Sequence, residues 1–153
     1  MNNLWISELV MVLVIPVLIF AVGRHFVKKG APKEINAVFG YKTSRSMQTW
    51  ETWTFAHAQL GKLWSLIGLI MIPVSAGLFA ILFKQNEDTM SVFGLIILLL
   101  QTVPVIVSII LVEKSLKANF NERGERTEES LAEEQKKLEE KNAKAQKKAE
   151  KKK

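Results

Sequence analysis

Two histidines, His25 and His57, and the hydroxyl side chains of Ser44, Ser46 and Thr49 are among the groups of the 24–62 segment that could move a proton or attack an electrophile. Their spacing assembles neither chemistry. His25 stands beside Arg24 and His57 among aromatic residues, and neither has partners at metal-ligand intervals. The hydroxyls have no evident base and read as turn and cap residues. The chain has no cysteine, which excludes thiolate nucleophiles, zinc–thiolate sites and disulfides. It has no H-E-x-x-H, no phosphate loop and no G-x-S-x-G. An enzyme is therefore the least expected class, and no catalytic residue, metal or cofactor is assigned.

Two other groups of residues could bind rather than react. Gln101, Thr102 and Ser75 are polar residues inside otherwise apolar runs, each close in sequence to a proline, Pro73 or Pro104; Pro16 occupies the first run. A proline leaves a backbone carbonyl without its helical donor, and in lipid that carbonyl needs another partner. A shared polar pocket near mid-membrane and ordinary interhelix contacts are both open readings. The second group lies in the 24–62 segment. Trp50, Trp53, His57, Leu60 or Gly61, and Trp64 recur at steps of three and four, which makes one helical face. Trp50 and Trp53 on that face suit a membrane–water boundary. The alternative is a binding surface formed jointly by Asn36, Tyr41, Lys42, Thr43, Arg45 and the tryptophan face. Gly40 suggests a bend, and Ser44 or Ser46 a helix cap.

The elements that must position these residues are three apolar runs, Leu4–Val22, Leu63–Phe83 and Val92–Val112. A helix needs about 20 residues to cross ~30 Å of hydrocarbon, and Glu8 is the single charge in the three runs. Small domains in water rarely hold three such spans. The first run is expected to stay as a span, because residues 1–7 carry no Lys or Arg and no cleavage site follows. Glu8 is then expected near headgroup level. The expected fold is all-α: an integral membrane three-helix bundle over 1–112, with an interfacial helix in the cytoplasmic loop 24–62, before a charged helical or disordered tail over 113–153. The 24–62 loop is rich in Lys and Arg and the 84–91 connection is not, which puts the N-terminus outside and the C-terminus in the cytoplasm. The net charge of +6 needs no nucleic-acid partner, since the bilayer and its anionic lipids account for it. Gly61, Ser65 and Gly68, and Ala76, Gly77 and Ala80, supply small residues for close helix approach, compatible with a homo-oligomer but not diagnostic of one.

The run Asn36-x-x-x-Gly40-Tyr41-Lys42-Thr43-x-x-Ser46-Met47, followed by Trp53-x-x-Ala56-His57 and by Gly61-Lys62, resembles the signature of the SdpI family over roughly Gly23 to Gly77. The family pattern has arginine where this chain has Lys42 and asparagine where it has His57. Lysine keeps the charge but loses the planar two-pronged donor. The resemblance implies a small multi-pass protein of the bacterial plasma membrane. It implies immunity or resistance to a secreted membrane-active peptide toxin or envelope stress, with Asn36, Gly40, Tyr41, Lys42, Thr43, Ser46, Trp53, His57 and Gly61 as the motif residues. It also implies a cytoplasmic transcriptional regulator as a partner in signalling. Two other functions stay open on the residues: a scaffold that sequesters a soluble regulator through the loop or tail, and a small transporter subunit built on Gln101 and the proline-bearing helices.

In the tail, residues 127–150 hold no Pro or Gly, and Glu133/Lys137 and Glu140/Lys144 are helical pairs in the favourable order. Leu131, Leu138 and Ala145 repeat every seven residues, but the alternate heptad positions are polar, which argues against a coiled coil. A solvated, partly helical segment is expected, and Lys147, Lys148 and Lys151–Lys153 could dock on anionic lipid.

Overall fold

The computed structural model describes residues 3–35, 37–81 and 85–150. Four helices follow one another: α1 (Asn3–Lys29), α2 (Trp50–Ile81), α3 (Glu87–Asn119) and α4 (Glu128–Glu150). The first three are long and apolar enough to cross a membrane. A helix satisfies its own backbone hydrogen bonds, which is why apolar runs of this length adopt it in lipid.

The three spans alternate in direction. At one end of the bundle the start of α1 meets the end of α2 and the start of α3: Trp5 lies 5.8 Å from Phe79, centroid to centroid, and Glu8 accepts a hydrogen bond from the Ser91 hydroxyl at 3.0 Å. Glu8 thus lies in the second turn of α1 and bonds across to α3. Val12, Phe79, Met90 and Ile97 form the buried cluster there. At the opposite end Phe26 of α1, Ala56 and Leu60 of α2, and Val112 and Leu116 of α3 form a second cluster, joined by Tyr41 and Phe120 from outside the helices. The 30–49 connection lies at this second end, called the loop end below.

Glycine fixes how closely α1 and α2 approach. A Cβ on Gly23 would stand 2.7 Å from the carbonyl carbon of Trp64 and would meet the Ser65 amide nitrogen. A Cβ on Gly68 would stand 2.6 Å from the Phe20 nitrogen, and one on Gly61 2.9 Å from the Phe26 Cβ. The small residues at 61 and 68 therefore act at this crossing, and Gly23 is their counterpart on α1. Gly77 faces open space.

The aromatic helix, expected to turn or to run on into the second span, runs on: the two are one continuous helix of 32 residues. At ~1.5 Å per residue this is about 48 Å, well beyond ~30 Å of hydrocarbon, so the tryptophan-bearing turns form an overhang at the loop end. The cap differs from the one expected. Thr49 and Thr52 bond reciprocally, the Thr49 N–H to the Thr52 hydroxyl at 3.0 Å and the Thr52 N–H to the Thr49 hydroxyl at 3.1 Å. Thr49 therefore caps α2 in a capping-box arrangement, and Ser44 and Ser46 lie upstream of it. α1 ends where Gly30, at φ 78°, closes the last turn with its N–H on the Phe26 carbonyl at 3.0 Å.

α3 continues past Val112 to Asn119. The following turn, closed by Gly124 at φ 75°, leads into α4. The Lys137 ammonium pairs with Glu133 at 3.1 Å, and Leu131 and Leu138 are exposed.

Candidate functional site

Tyr41 organises the loop. Its N–H donates to His57 Nε2 at 2.9 Å, and its carbonyl accepts from the Ser46 hydroxyl at 2.9 Å. Ser46 is fully buried and also pairs with Thr43: the Thr43 N–H donates to Ser46 Oγ at 2.9 Å, and the Ser46 N–H to Thr43 Oγ1 at 3.2 Å. The motif's Thr and Ser thus supply hydrogen bonds to a backbone that has neither helix nor strand partners, which buried amides require.

His57 has both ring nitrogens engaged. Nε2 accepts from Tyr41, so the proton is on Nδ1, which donates to the Trp53 carbonyl at 2.7 Å. The neutral ring lies edge-on to Phe26, centroids 4.8 Å apart, and against Trp53 at 4.2 Å. Trp53 is 0 % exposed, and its indole N–H donates to the Pro32 carbonyl at 3.0 Å. This corrects the membrane-boundary position expected for it; Trp50, 49 % exposed, remains outward. Gly40 is required by space. A Cβ there would lie 2.8 Å from the Trp53 ring and 2.9 Å from His57 Nε2.

The Tyr41 side chain reaches α3. Its hydroxyl donates to Glu113 at 3.1 Å and lies 3.4 Å from the Ile109 carbonyl. Burial first, then the Glu113 charge and its hydrogen bond, hold the phenol well above its ordinary value of about 10. A phenol raised by folding contributes stability that is intact below pH ~10 and is lost as the pH climbs beyond it. Tyr41 is the chain's one tyrosine. Tyrosinate absorbance in an alkaline titration therefore reads this group alone. The folded protein should show no ionisation step near pH 10, and denaturant should restore one. A normal step in the folded protein would mean that the Glu113 contact does not form.

The turn after α3 completes the loop end, through Gln48 and Arg126 as well as Thr49 and Gly124. The Gln48 side-chain amide donates to the Glu122 carbonyl at 2.5 Å, and the Thr49 hydroxyl to the Gly124 carbonyl at 3.2 Å. A Cβ on Gly124 would come within 2.9 Å of both Gln48 and Thr49. Arg126 is the hub. It bonds Glu51 of α2 at 2.6 Å and Glu134 of α4 at 3.0 Å, with the Phe55 and Phe120 rings 5.7 and 5.2 Å from its guanidinium carbon. A planar cation that meets two touching rings and two carboxylates uses the donor geometry that distinguishes arginine from lysine.

Within the membrane, Gln101 is 5 % exposed and its Nε2 donates to the Val12 carbonyl at 2.9 Å and to the Ser75 hydroxyl at 2.8 Å. Val12 is four residues before Pro16, so this carbonyl is one that a proline has deprived of its helical donor. Gln101 and Ser75 are therefore brought together across three helices. Thr102 is not with them; it is exposed and donates to the Leu99 carbonyl of its own helix at 2.7 Å. Thr102 borders a 380 Å³ groove between α1 and α3, with Trp64 across it, whereas Gln101 and Ser75 border one of 260 Å³ between α2 and α3.

Of the motif residues, Gly40, Tyr41, Thr43, Ser46, Trp53 and His57 form one connected cluster. Lys42 is exposed beside it, and Gly61 belongs to the α1–α2 crossing. Asn36 lies outside the described residues, as do residues 82–84 and the side chains of Lys147, Lys148 and Lys151–Lys153. The cluster couples backbone to side chains. A model of the SdpI/YfhL protein family matches residues 33–112, more than half of the chain. The chain belongs to that family. The matched range begins within the loop and ends with the third apolar run, so in this SdpI-family protein it contains the Tyr41–His57 cluster and Gln101. No curated protein and no solved structure matches the chain.

Proposed function

We propose that this SdpI-family protein is a non-enzymatic protein of the bacterial plasma membrane that protects against a membrane-active peptide toxin or related envelope stress. The observation that carries the reading is the family match over 33–112, which covers the buried loop cluster and the two spans that follow it. In this reading the spans or their outer edge bind or exclude the toxin. The loop end, rich in Lys and Arg, faces the cytoplasm and fastens the bundle. Expression in a toxin-sensitive host tests it: survival against a panel of membrane-active peptides should rise, and unchanged killing by every peptide would reject it. Reporters fused to the two ends should label opposite faces of the membrane; labelling of one face would refute the orientation.

A second reading has its own support. Arg126 ties a charge-rich helix, α4, to the loop end. Such a helix could recruit a soluble transcriptional regulator, so the protein would signal as a scaffold. Detergent extracts of cells expressing the full chain and an Arg126→Ala variant discriminate: a regulator retained by the first and lost by the second supports the scaffold, and recovery of none excludes it.

A further inference from the structure

We propose that the loop end holds a phosphoethanolamine group, an ammonium carried next to a phosphate, in the cavity between the loop and the end of α3. The cavity has a volume of 440 Å³ and is lined by Thr43, Ser44, Arg45, Gln48, Glu113 and Glu122. Arg45, Glu113 and Glu122, one cationic and two acidic residues, thus border one space. None of the three forms an ion pair among the described residues, whose salt bridges are made by Arg126 and Lys137. Charges of opposite sign around one opening, too far apart to pair, match a ligand that carries both signs itself.

The chemistry of each wall assigns its partner. A guanidinium offers paired N–H donors to phosphate oxygens, and the Ser44 hydroxyl adds a further donor. Carboxylates accept from the three N–H bonds of a primary ammonium. Glu113 is held in place by the Tyr41 hydroxyl, so this acceptor is positioned before any ligand arrives. Glu122 is fixed through its backbone by Gln48. The depth suits a lipid headgroup: Glu113 is the first charged residue after the apolar run ending at Val112, where α3 leaves the hydrocarbon. The excess of carboxylate over guanidinium in the lining disfavours a purely anionic headgroup. A choline ammonium has no N–H to donate.

The test uses the full-length protein, delipidated in detergent and offered phosphatidylethanolamine, phosphatidylcholine or phosphatidylglycerol, with bound lipid read by native mass spectrometry. Phosphatidylethanolamine should be retained about tenfold more tightly than either of the others, a difference of about 1.4 kcal/mol. Glu122→Gln should abolish that preference and Arg45→Gln should weaken retention of all three lipids alike, both while leaving the melting temperature unchanged. These two carry the test, because Glu113→Gln would also disturb the Tyr41 hydrogen bond. Displacement by soluble phosphoethanolamine would assign the site to a free zwitterion, and resistance to it to the lipid; both support the chemistry. Equal retention of the three lipids, a preference that survives Glu122→Gln, or retention unchanged by Arg45→Gln overturns the proposal. The proposal stands apart from toxin protection, whose readout is survival.

Discussion

Gly23→Val should cost about 3 kcal/mol or more of stability and separate α1 from α2. The new Cβ would overlap the backbone of Trp64 and Ser65, not the mobile end of a side chain, so the helices can accommodate it only by moving apart. That movement also removes close packing at Gly61 and Gly68, because all three glycines serve the same crossing. Thermal unfolding in detergent, followed by intrinsic fluorescence, should show a large fall in Tm or no folded species. Gly77→Ala is the internal control: nothing lies within 4 Å of its added Cβ, and Tm should hold or rise slightly. Equal losses from the two substitutions would show that the crossing is not the feature being measured.

Gln101→Leu should destabilise the bundle by about 1–3 kcal/mol, because the Val12 carbonyl then has neither a helical donor nor a side-chain donor in an apolar surrounding. The cause can be isolated. Pro16→Ala returns an N–H to position 16, four residues beyond Val12, so the helix can satisfy that carbonyl itself. The double variant should therefore lose less than the sum of the two single losses, with a coupling of about 1 kcal/mol. Pro16 is buried, so its own replacement also leaves a small void, and the coupling is the decisive quantity rather than either single loss. Strict additivity would mean that Gln101 contributes through packing alone.

Those two contacts also mark how far the sequence could be read. The spans were legible because a bilayer sets one length and one composition for a crossing helix. Gln101 and Ser75 stood out as polar residues in apolar runs, and they do meet. Thr102 stood out equally and does not join them, because neighbours on a helix point ~100° apart. Gly61 and Gly68 were visible as small residues, but Gly77 looked the same, and no local signal tells a glycine facing a helix from one facing lipid. In the loop, the family motif named Tyr41, Ser46, Trp53 and His57 without telling what each bonds. Indole chemistry alone placed Trp53 at a membrane boundary, whereas the Pro32 carbonyl gives its N–H a partner inside the protein. The contacts of Gly124 and Arg126 were illegible for a plain reason: their partners, Thr49 at the cap of α2 and Glu51 in its first turn, stand 75 positions earlier in the chain.

That separation has a consequence for how the molecule is made. Glu113 is 72 residues downstream of Tyr41, and Gly124 75 downstream of Thr49. During synthesis the ribosome delivers the loop first and its fasteners last. The loop can bond within itself and to α2 early, whereas its contacts with α3 and the following turn form only after the third span has been inserted and that turn has left the exit tunnel. A nascent chain interrupted at Val112 would carry every apolar segment yet lack these clasps.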